Sequence, residues 1–170
     1  MSSPDSDHVK HFHDLLARFD TAMLVTHTAG GDLRARPMAI ALVEENCRVW
    51  FFTSVSSGKV HEIETDTHVN VVCQKERDIY LSLSGTATLR RDRAKIDELW
   101  KEVYKVWFPN GKDDPELALV SVEPEEGEYW DQEGFKKIKN LFEAARAYAT
   151  RTTPHTADAE QHAKVHLQST

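Results

Sequence analysis

The 170-residue sequence is poor in cysteine, has no long apolar run and carries no excess of basic residues. Its 21 Lys and Arg against 28 Asp and Glu give a formal charge of -7, which argues against a nucleic-acid partner, because the phosphate backbone demands clustered cations. No stretch approaches the roughly 20 apolar residues that span a bilayer, so no membrane partner is expected. Residues 1–7 lack the basic start and apolar run of a signal peptide, so we expect a cytoplasmic location.

The few cysteines and the more numerous histidines do not indicate a metal site. Cys47 and Cys73 fall inside predicted strands and form no metal-type pair, which indicates reduced thiols in packing roles. Two of the nine histidines, His162 and His166, have an i, i+4 spacing that could place both imidazoles on one helical face. Because this spacing arises readily by chance and no core-forming stripe accompanies it, we predict no metal ligand.

Hydrophobic periodicity predicts about seven strands with helices inserted singly, rather than alternating βαβ units. The strands are expected at residues 21–27, 33–42, 47–53, 69–74, 79–89, 117–122 and 128–131. The helices are expected at residues 7–18, 57–66 and 92–107, with a last one from about residue 134. This order is typical of an α+β, mainly β, protein in which an antiparallel barrel carries peripheral helices.

The predicted domain extends over residues 8–149. Beyond about Ala149 the sequence consists largely of Thr, His, Ala and Gln without periodicity. Such a composition offers no apolar face to bury, so residues 150–170 are expected to form a disordered tail.

A segment after the third predicted strand is rich in groups that bind anions. Thr53, Ser54, Ser56 and Ser57 supply hydroxyls there, and the Gly58-Lys59 pair adds a close backbone approach and a positive charge. At a helix N-terminus, these groups and the free backbone N–H donors favour a phosphate. Taken alone, the segment is more typical of an ordinary serine-rich helix cap followed by a solvated lysine.

The second predicted strand offers a further cationic group. Arg34 and Arg36 lie on the same side as Met38, because strand side chains alternate. Arg36 beside a phosphate would be a bidentate partner, and Met38 could pack on a flat ring. The alternative is an edge strand that uses both arginines for solubility, and we favour that alternative for Arg34.

Four motifs follow one another in a specific order. They are Arg36-Pro37-Met38, the stretch from Trp50 to Ile63 with its Ser57 and Lys59, the stretch from Trp107 to Pro115, and Glu128-Tyr129-Trp130-Asp131. Together they resemble the FMN-binding split barrel of the pyridoxamine 5'-phosphate oxidase-like superfamily, and more closely its general stress protein branch. The resemblance covers roughly residues 8–148 and implies an antiparallel split β-barrel with peripheral helices.

The resemblance also implies a cofactor and the residues that hold it. Arg36, Ser57 and Lys59 would bind the phosphate of FMN, with FAD as the alternative flavin. The backbone of Met38 and Ala39 would meet the edge of the isoalloxazine ring.

Further residues are implied along the flavin and across a subunit interface. Phe52 and Thr53 would lie along the ribityl chain and ring, and Tyr80 would touch the flavin from the polar face of its strand. A homodimer with two flavins at its interface is implied, in which Trp107 and Trp130 close each site from the partner subunit. For Trp107 the alternative is a core position, because it also completes the apolar stripe of a helix predicted from Asp92.

One departure narrows the expected activity. True pyridoxine phosphate oxidases carry an Arg-x-His pair shortly after the tryptophan, and residues 131–140 here contain no such pair. We therefore expect an FMN-binding stress-type protein, an NAD(P)H-linked oxidoreductase with a small-molecule electron donor or acceptor, and not an oxidase of that kind. Two alternatives stay open: a non-enzymatic flavin-binding or sensing dimer, and a haem or deazaflavin binder on the same barrel. No catalytic acid or base can be named from the sequence.

Overall fold

The computed structural model describes residues 4–75, 79–131 and 162–167. Within these residues, no helix is long and apolar enough to cross a membrane. Along the chain, the helices and strands are α1 (Pro4–Leu16), β1 (Thr21–His27), β2 (Leu33–Val43), β3 (Val49–Ser54), α2 (Gly58–Thr65), β4 (His68–Lys75), β5 (Ile79–Arg90), α3 (Arg93–Leu99), the 3₁₀ turns η1 (Glu102–Val106) and η2 (Gly111–Asp113), β6 (Leu117–Asp131) and β7 (His162–His166).

The strands form one antiparallel sheet that closes on itself. Their order is β3-β2-β1-β4-β5-β6-β7, and β3 also pairs with β6, which joins the first six into a barrel. The long strand β6 pairs with β3 over residues 117–122 and with β7 over residues 126–130. The predicted α+β antiparallel barrel with peripheral helices is therefore confirmed.

Strict alternation of side chains divides the barrel wall into two faces. In β5 the buried and more exposed residues alternate from Ile79 to Thr88, because successive strand side chains point to opposite sides. The inward face joins α1, through Phe12 and Leu16, in the main hydrophobic cluster. A second cluster, around Trp50, Tyr104 and Leu119, packs α3 and η1 onto the outside of the wall.

The single helix predicted from Asp92 to Trp107 is wrong beyond Leu99. The Asp92 side chain caps α3 as predicted, by accepting a hydrogen bond from the Lys95 backbone N–H. Trp100 then adopts an extended conformation, and its ring packs edge-on against Tyr104, which η1 supplies. Packing of aromatic rings thus replaces the continuous apolar stripe, and Trp107 is left 64% exposed.

The two strands predicted around the Glu-Pro-Glu-Glu-Gly sequence form one strand, β6. The register passes from Ser84 opposite Glu126 to Gly85 opposite Pro124, so that Glu125 is the extra residue of a bulge. A bulge accommodates the missing N–H of proline within a sheet, which is why this sequence does not end the strand.

Part of the predicted disordered tail is wrong, because His162–His166 forms the strand β7 beside β6. Val165 and Leu167 are buried against the main cluster. Val165 and Leu167 are the only two strongly apolar residues in this segment, too few to predict a strand from periodicity. Because they alternate and the edge of β6 is available for pairing, they are nevertheless enough to form one. The last helix, predicted from about residue 134, and the rest of the tail lie outside the described residues.

Both cysteines are buried and unpaired, in agreement with the packing role predicted for them. Burial raises the pKa of Cys47 to about 11 and that of Cys73 to about 12. Near neutral pH both side chains are therefore protonated thiols with little nucleophilic character.

Candidate functional site

The site is built around the first half of β2, which is only partly paired. Residues 33–39 pair with β1, whereas the pairing with β3 begins at Ile40. Among the strands that the structure describes, this half of β2 therefore has one open edge. Backbone groups on an open strand edge are available to a ligand.

A buried carboxylate joins β1, β2 and α2. Glu62 is 6% exposed and lies in α2, one helical turn after Lys59. Its Oε2 accepts hydrogen bonds of 2.6 Å from Thr26 Oγ1 and of 2.6 Å from Arg36, while its Oε1 accepts one of 2.8 Å from Arg34. Burial alone would raise the pKa of Glu62, but the bonds from Thr26 and Arg36 hold it below its usual value.

Arg36 and Lys59, the two cationic side chains nearest the start of α2, are able to bind an anion. The Nη1 atom of Arg36 is buried and has no hydrogen-bond partner within the described part of the chain. Burial lowers the pKa of Lys59, and the positive charge of Arg36 lowers it further, while Glu62 acts in the opposite sense. An anion placed between them would satisfy the guanidinium and relieve the repulsion.

The start of α2 adds hydroxyl and backbone donors. Ser57 precedes the helix, and its side chain makes no capping bond. Its Oγ lies 3.2 Å from the Oγ1 of the buried Thr53. Apart from its chain neighbours and the backbone of its own helix, no described residue comes within 4 Å of the place where a side chain at Gly58 would begin. The helix start is therefore open to a ligand.

Two hydroxyls of the predicted phosphate-binding segment bind a carboxylate of the protein instead. Ser54 and Ser56 both donate to the Glu116 carboxylate, which also accepts from the Ser56 backbone N–H. These bonds hold the pKa of Glu116 below its usual value. Ser54 and Ser56 thus tie the loop before α2 to the start of β6.

The residues predicted to meet the flavin ring lie on different faces of the barrel wall. The Met38 side chain is 8% exposed and belongs to the core, so only its backbone and that of Ala39 are available at the open edge of β2. Phe52 lies on the opposite face of β3 from Thr53, and its ring centroid is 4.5 Å from that of Tyr104. Their contact with a flavin stays a prediction.

The two strand aromatics of the predicted site are brought together. Tyr80 in β5 and Trp130 in β6 are direct partners in the sheet register, on the outward face of the barrel. Met23 and Val72 are partners on the same face, and all four side chains are 36–39% exposed. Trp107 follows η1, beside the outer cluster, and does not belong to this group of strand residues.

A cavity of about 480 Å³ also opens on the outward face, and its lining contains none of the predicted phosphate ligands. Polar residues in its wall are His27, His68, Asn70, Ser84 and Glu125. His68 Nδ1 lies 2.9 Å from the Asp66 carboxylate and His27 Nδ1 lies 3.3 Å from it. Within the described ranges, no group of three or more His, Cys, Asp or Glu residues could hold a metal ion. His27 Nδ1 in the wall of this cavity and Arg36 Nη1 are both buried without a hydrogen-bond partner among the described residues. The β2–α2 cluster (Thr26, Arg34, Arg36, Ser57, Lys59 and Glu62) is the better anion site, because its unpartnered donor belongs to a permanently charged guanidinium.

Sequence reasoning missed Thr26 and the role of Glu62. The sequence does contain a signal for Glu62, because it lies between Val60 and Ile63, the two apolar residues that α2 buries. A carboxylate at such a position is expected to need a partner. Arg34, for which we favoured a solubility role, is 61% exposed along its side chain and also binds Glu62. The solubility role therefore agrees with the exposure of Arg34 but does not include its ion pair with Glu62.

The chain is similar in sequence and fold to several known proteins. General stress protein 26 of Bacillus subtilis is 32% identical over 78 residues, which is 44% of this chain and 55% of that protein. The chain spans about half the length of the curated relatives it matches. A solved structure described as general stress protein 26 of Jannaschia sp. CCS1 is 26% identical with a TM-score of 0.70, covering 95% of this chain and 99% of its own.

A second solved structure is the general stress FMN/FAD binding protein of Xanthomonas citri. It is 27% identical with a TM-score of 0.64, covering 74% of this chain and 89% of its own. The family model described as pyridoxamine 5'-phosphate oxidase like matches residues 7–155. That match spans all six strands of the barrel and the whole β2–α2 cluster. The chain therefore belongs to the pyridoxamine 5'-phosphate oxidase-like family.

Proposed function

We propose that this protein binds FMN, with the phosphate held by Arg36, Lys59 and Ser57 at the start of α2. The observation that carries the proposal is the buried Nη1 of Arg36, which has no partner among the described residues. A buried guanidinium donor without an acceptor is costly, and a phosphate oxygen is the acceptor that best matches it. The similarity to a protein named for FMN/FAD binding supports the same cofactor.

The charge of the cluster favours FMN over FAD. Arg34, Arg36 and Lys59 are opposed by one carboxylate, Glu62, which leaves an excess of two positive charges. A phosphate monoester carries close to two negative charges at neutral pH. Each phosphate of a dinucleotide carries only one, so the terminal phosphate of FMN balances the cluster better.

The proposal extends to the residues that surround the ring. Backbone groups of Met38 and Ala39 are available at the open edge of β2, and Thr53 lies beside Ser57. Phe52 and Tyr80 are the remaining residues that we propose to contact the ring. These residues would orient the ring and exclude water from it.

A lysine substitution tests the phosphate site. Lys59→Ala removes a half-buried charge, and we expect FMN affinity to fall about ten- to a hundredfold, as for loss of a charge-assisted hydrogen bond. Quenching of flavin fluorescence during titration measures the dissociation constant. Lys10→Ala removes an exposed lysine from α1 and should leave that constant unchanged. Equal affinities of Lys59→Ala and wild type, or no flavin uptake by wild type, would overturn the proposal.

We further propose a homodimer with a flavin site at each side of its interface. Support comes from the outward face of the barrel, where Met23, Val72, Tyr80 and Trp130 expose apolar surface side by side. Patches of this kind mark association surfaces. In this arrangement Trp107 and Trp130 of one subunit close the site of the other.

The proposed activity is that of an oxidoreductase using NADH or NADPH as its small-molecule electron donor. When bound, FMN supplies reversible one- and two-electron chemistry, and the protein needs only to hold and orient it. We expect anaerobic mixing of the loaded protein with either donor to bleach the visible flavin absorbance, faster than an equal concentration of free FMN. If neither donor bleaches it, the protein is a flavin-binding or sensing dimer instead.

A further inference from the structure

We propose that Glu62 is a positioning residue for the phosphate: it fixes the guanidinium of Arg36 so that Nη1 is left for the ligand. The inference rests on the proposed FMN site and adds a residue to it. Glu62 accepts a hydrogen bond of 2.6 Å from Arg36 Nη2, and Nη1 of the same guanidinium has no partner among the residues that the structure describes. The planar fork of arginine allows one side chain to bind a carboxylate and a phosphate at once.

Two features of Glu62 indicate more than an ion pair that stabilises the fold. Glu62 is buried, and a buried carboxylate is retained at a desolvation cost that an apolar residue would avoid. Both of its oxygens are engaged, one by Arg34 and the other by Thr26 and Arg36 together. A carboxylate held from three sides leaves its arginine little rotational freedom. Preorganisation of this kind lowers the entropy cost of binding a ligand.

The charge of Glu62 makes the inference testable by the sign of an effect. Glu62 brings a negative charge close to the proposed phosphate, so simple electrostatics predicts that its removal strengthens anion binding. A positioning role predicts that removal of Glu62 weakens anion binding, because the side chain of Arg36 then loses conformational entropy when the phosphate binds. The direction of the change in FMN affinity therefore distinguishes the electrostatic effect from the positioning role.

The experiment compares Glu62→Gln with wild type in titrations with FMN and with riboflavin, which lacks the phosphate. We expect FMN affinity to fall roughly tenfold in Glu62→Gln, while riboflavin affinity stays within about twofold, so that the preference for FMN is lost. A merely structural role would weaken both ligands alike. Glu64→Gln is the matched control, because it makes the same charge change on the exposed side of α2 and should alter neither affinity.

Unchanged or tighter FMN binding by a folded Glu62→Gln variant would overturn the inference. Should that variant fail to fold, Glu62→Asp keeps the charge but shortens the reach to Arg36, and FMN affinity should fall several-fold with riboflavin unaffected. Affinity equal to wild type in Glu62→Asp would again overturn it. Lys59→Ala in the same series separates the two proposals: if it weakens FMN binding and Glu62→Gln does not, only the role of Glu62 is wrong. If wild type takes up no FMN, both proposals are wrong.

Discussion

Replacing Gly85 by alanine is expected to destabilise the protein by at least about 3 kcal/mol, at or above the upper end of what overpacked cores show. A Cβ at this position would lie 2.1 Å from the carbonyl oxygen of Glu123 and 3.2 Å from the Cα of Pro124. Both atoms belong to the backbone of β6, so no side-chain rotation can relieve the clash. The strand pair β5–β6 would have to separate where the bulge at Glu125 bends the barrel wall.

Chemical denaturation monitored by tryptophan fluorescence measures this loss as a change in the free energy of unfolding. Gly30→Ala is the matched control, since the nearest atoms to its added Cβ are 3.8 Å away and its stability should change by less than about 1 kcal/mol. A Gly85→Ala protein as stable as wild type would show that β5 and β6 are not packed at this register.

Val72→Lys is expected to dissociate the proposed dimer. Val72 is 39% exposed in the single chain, so a lysine can keep its ammonium in water and the subunit should still fold. In a two-fold interface the substitution appears twice, and each buried unpaired charge costs several kcal/mol. We expect the dissociation constant of the dimer to rise at least about a hundredfold, which corresponds to roughly 3 kcal/mol.

Sedimentation velocity over a range of protein concentrations measures this change. FMN affinity should fall in parallel, because the proposed site takes tryptophans from the partner subunit. Ala29→Lys introduces the same charge in the exposed β1–β2 turn and should leave both properties unchanged. A Val72→Lys protein that dimerises like wild type would place the interface on another face. A wild-type protein that is monomeric at all concentrations would overturn the dimer itself.

The parts of the fold that were predicted correctly depend on neighbours in the sequence. β1 is predicted to the residue, and the prediction for β5 differs from the structure by a single residue, because alternation along a strand is a local pattern. The start of α2 is likewise within one residue, since serines followed by glycine end a strand and begin a helix. The error at Trp100 arises where aromatic packing on the outside of the barrel wall outweighs local preference, and the error at Pro124 arises where pairing with β5 does so.

The sequence by itself determined the barrel class, the occurrence of Arg36, Ser57 and Lys59 in motifs of one family, and the absence from residues 131–140 of the Arg-x-His pair of the true pyridoxine phosphate oxidases. Only the tertiary structure decided which donor meets which acceptor. Glu62 reaches across 26 residues to Arg36 and across 36 to Thr26, and Ser54 reaches across 62 to Glu116. Propensity and periodicity act over a few residues, whereas these pairings exist only because closure of the sheet brings β1, β2 and β6 against the ends of β3 and α2.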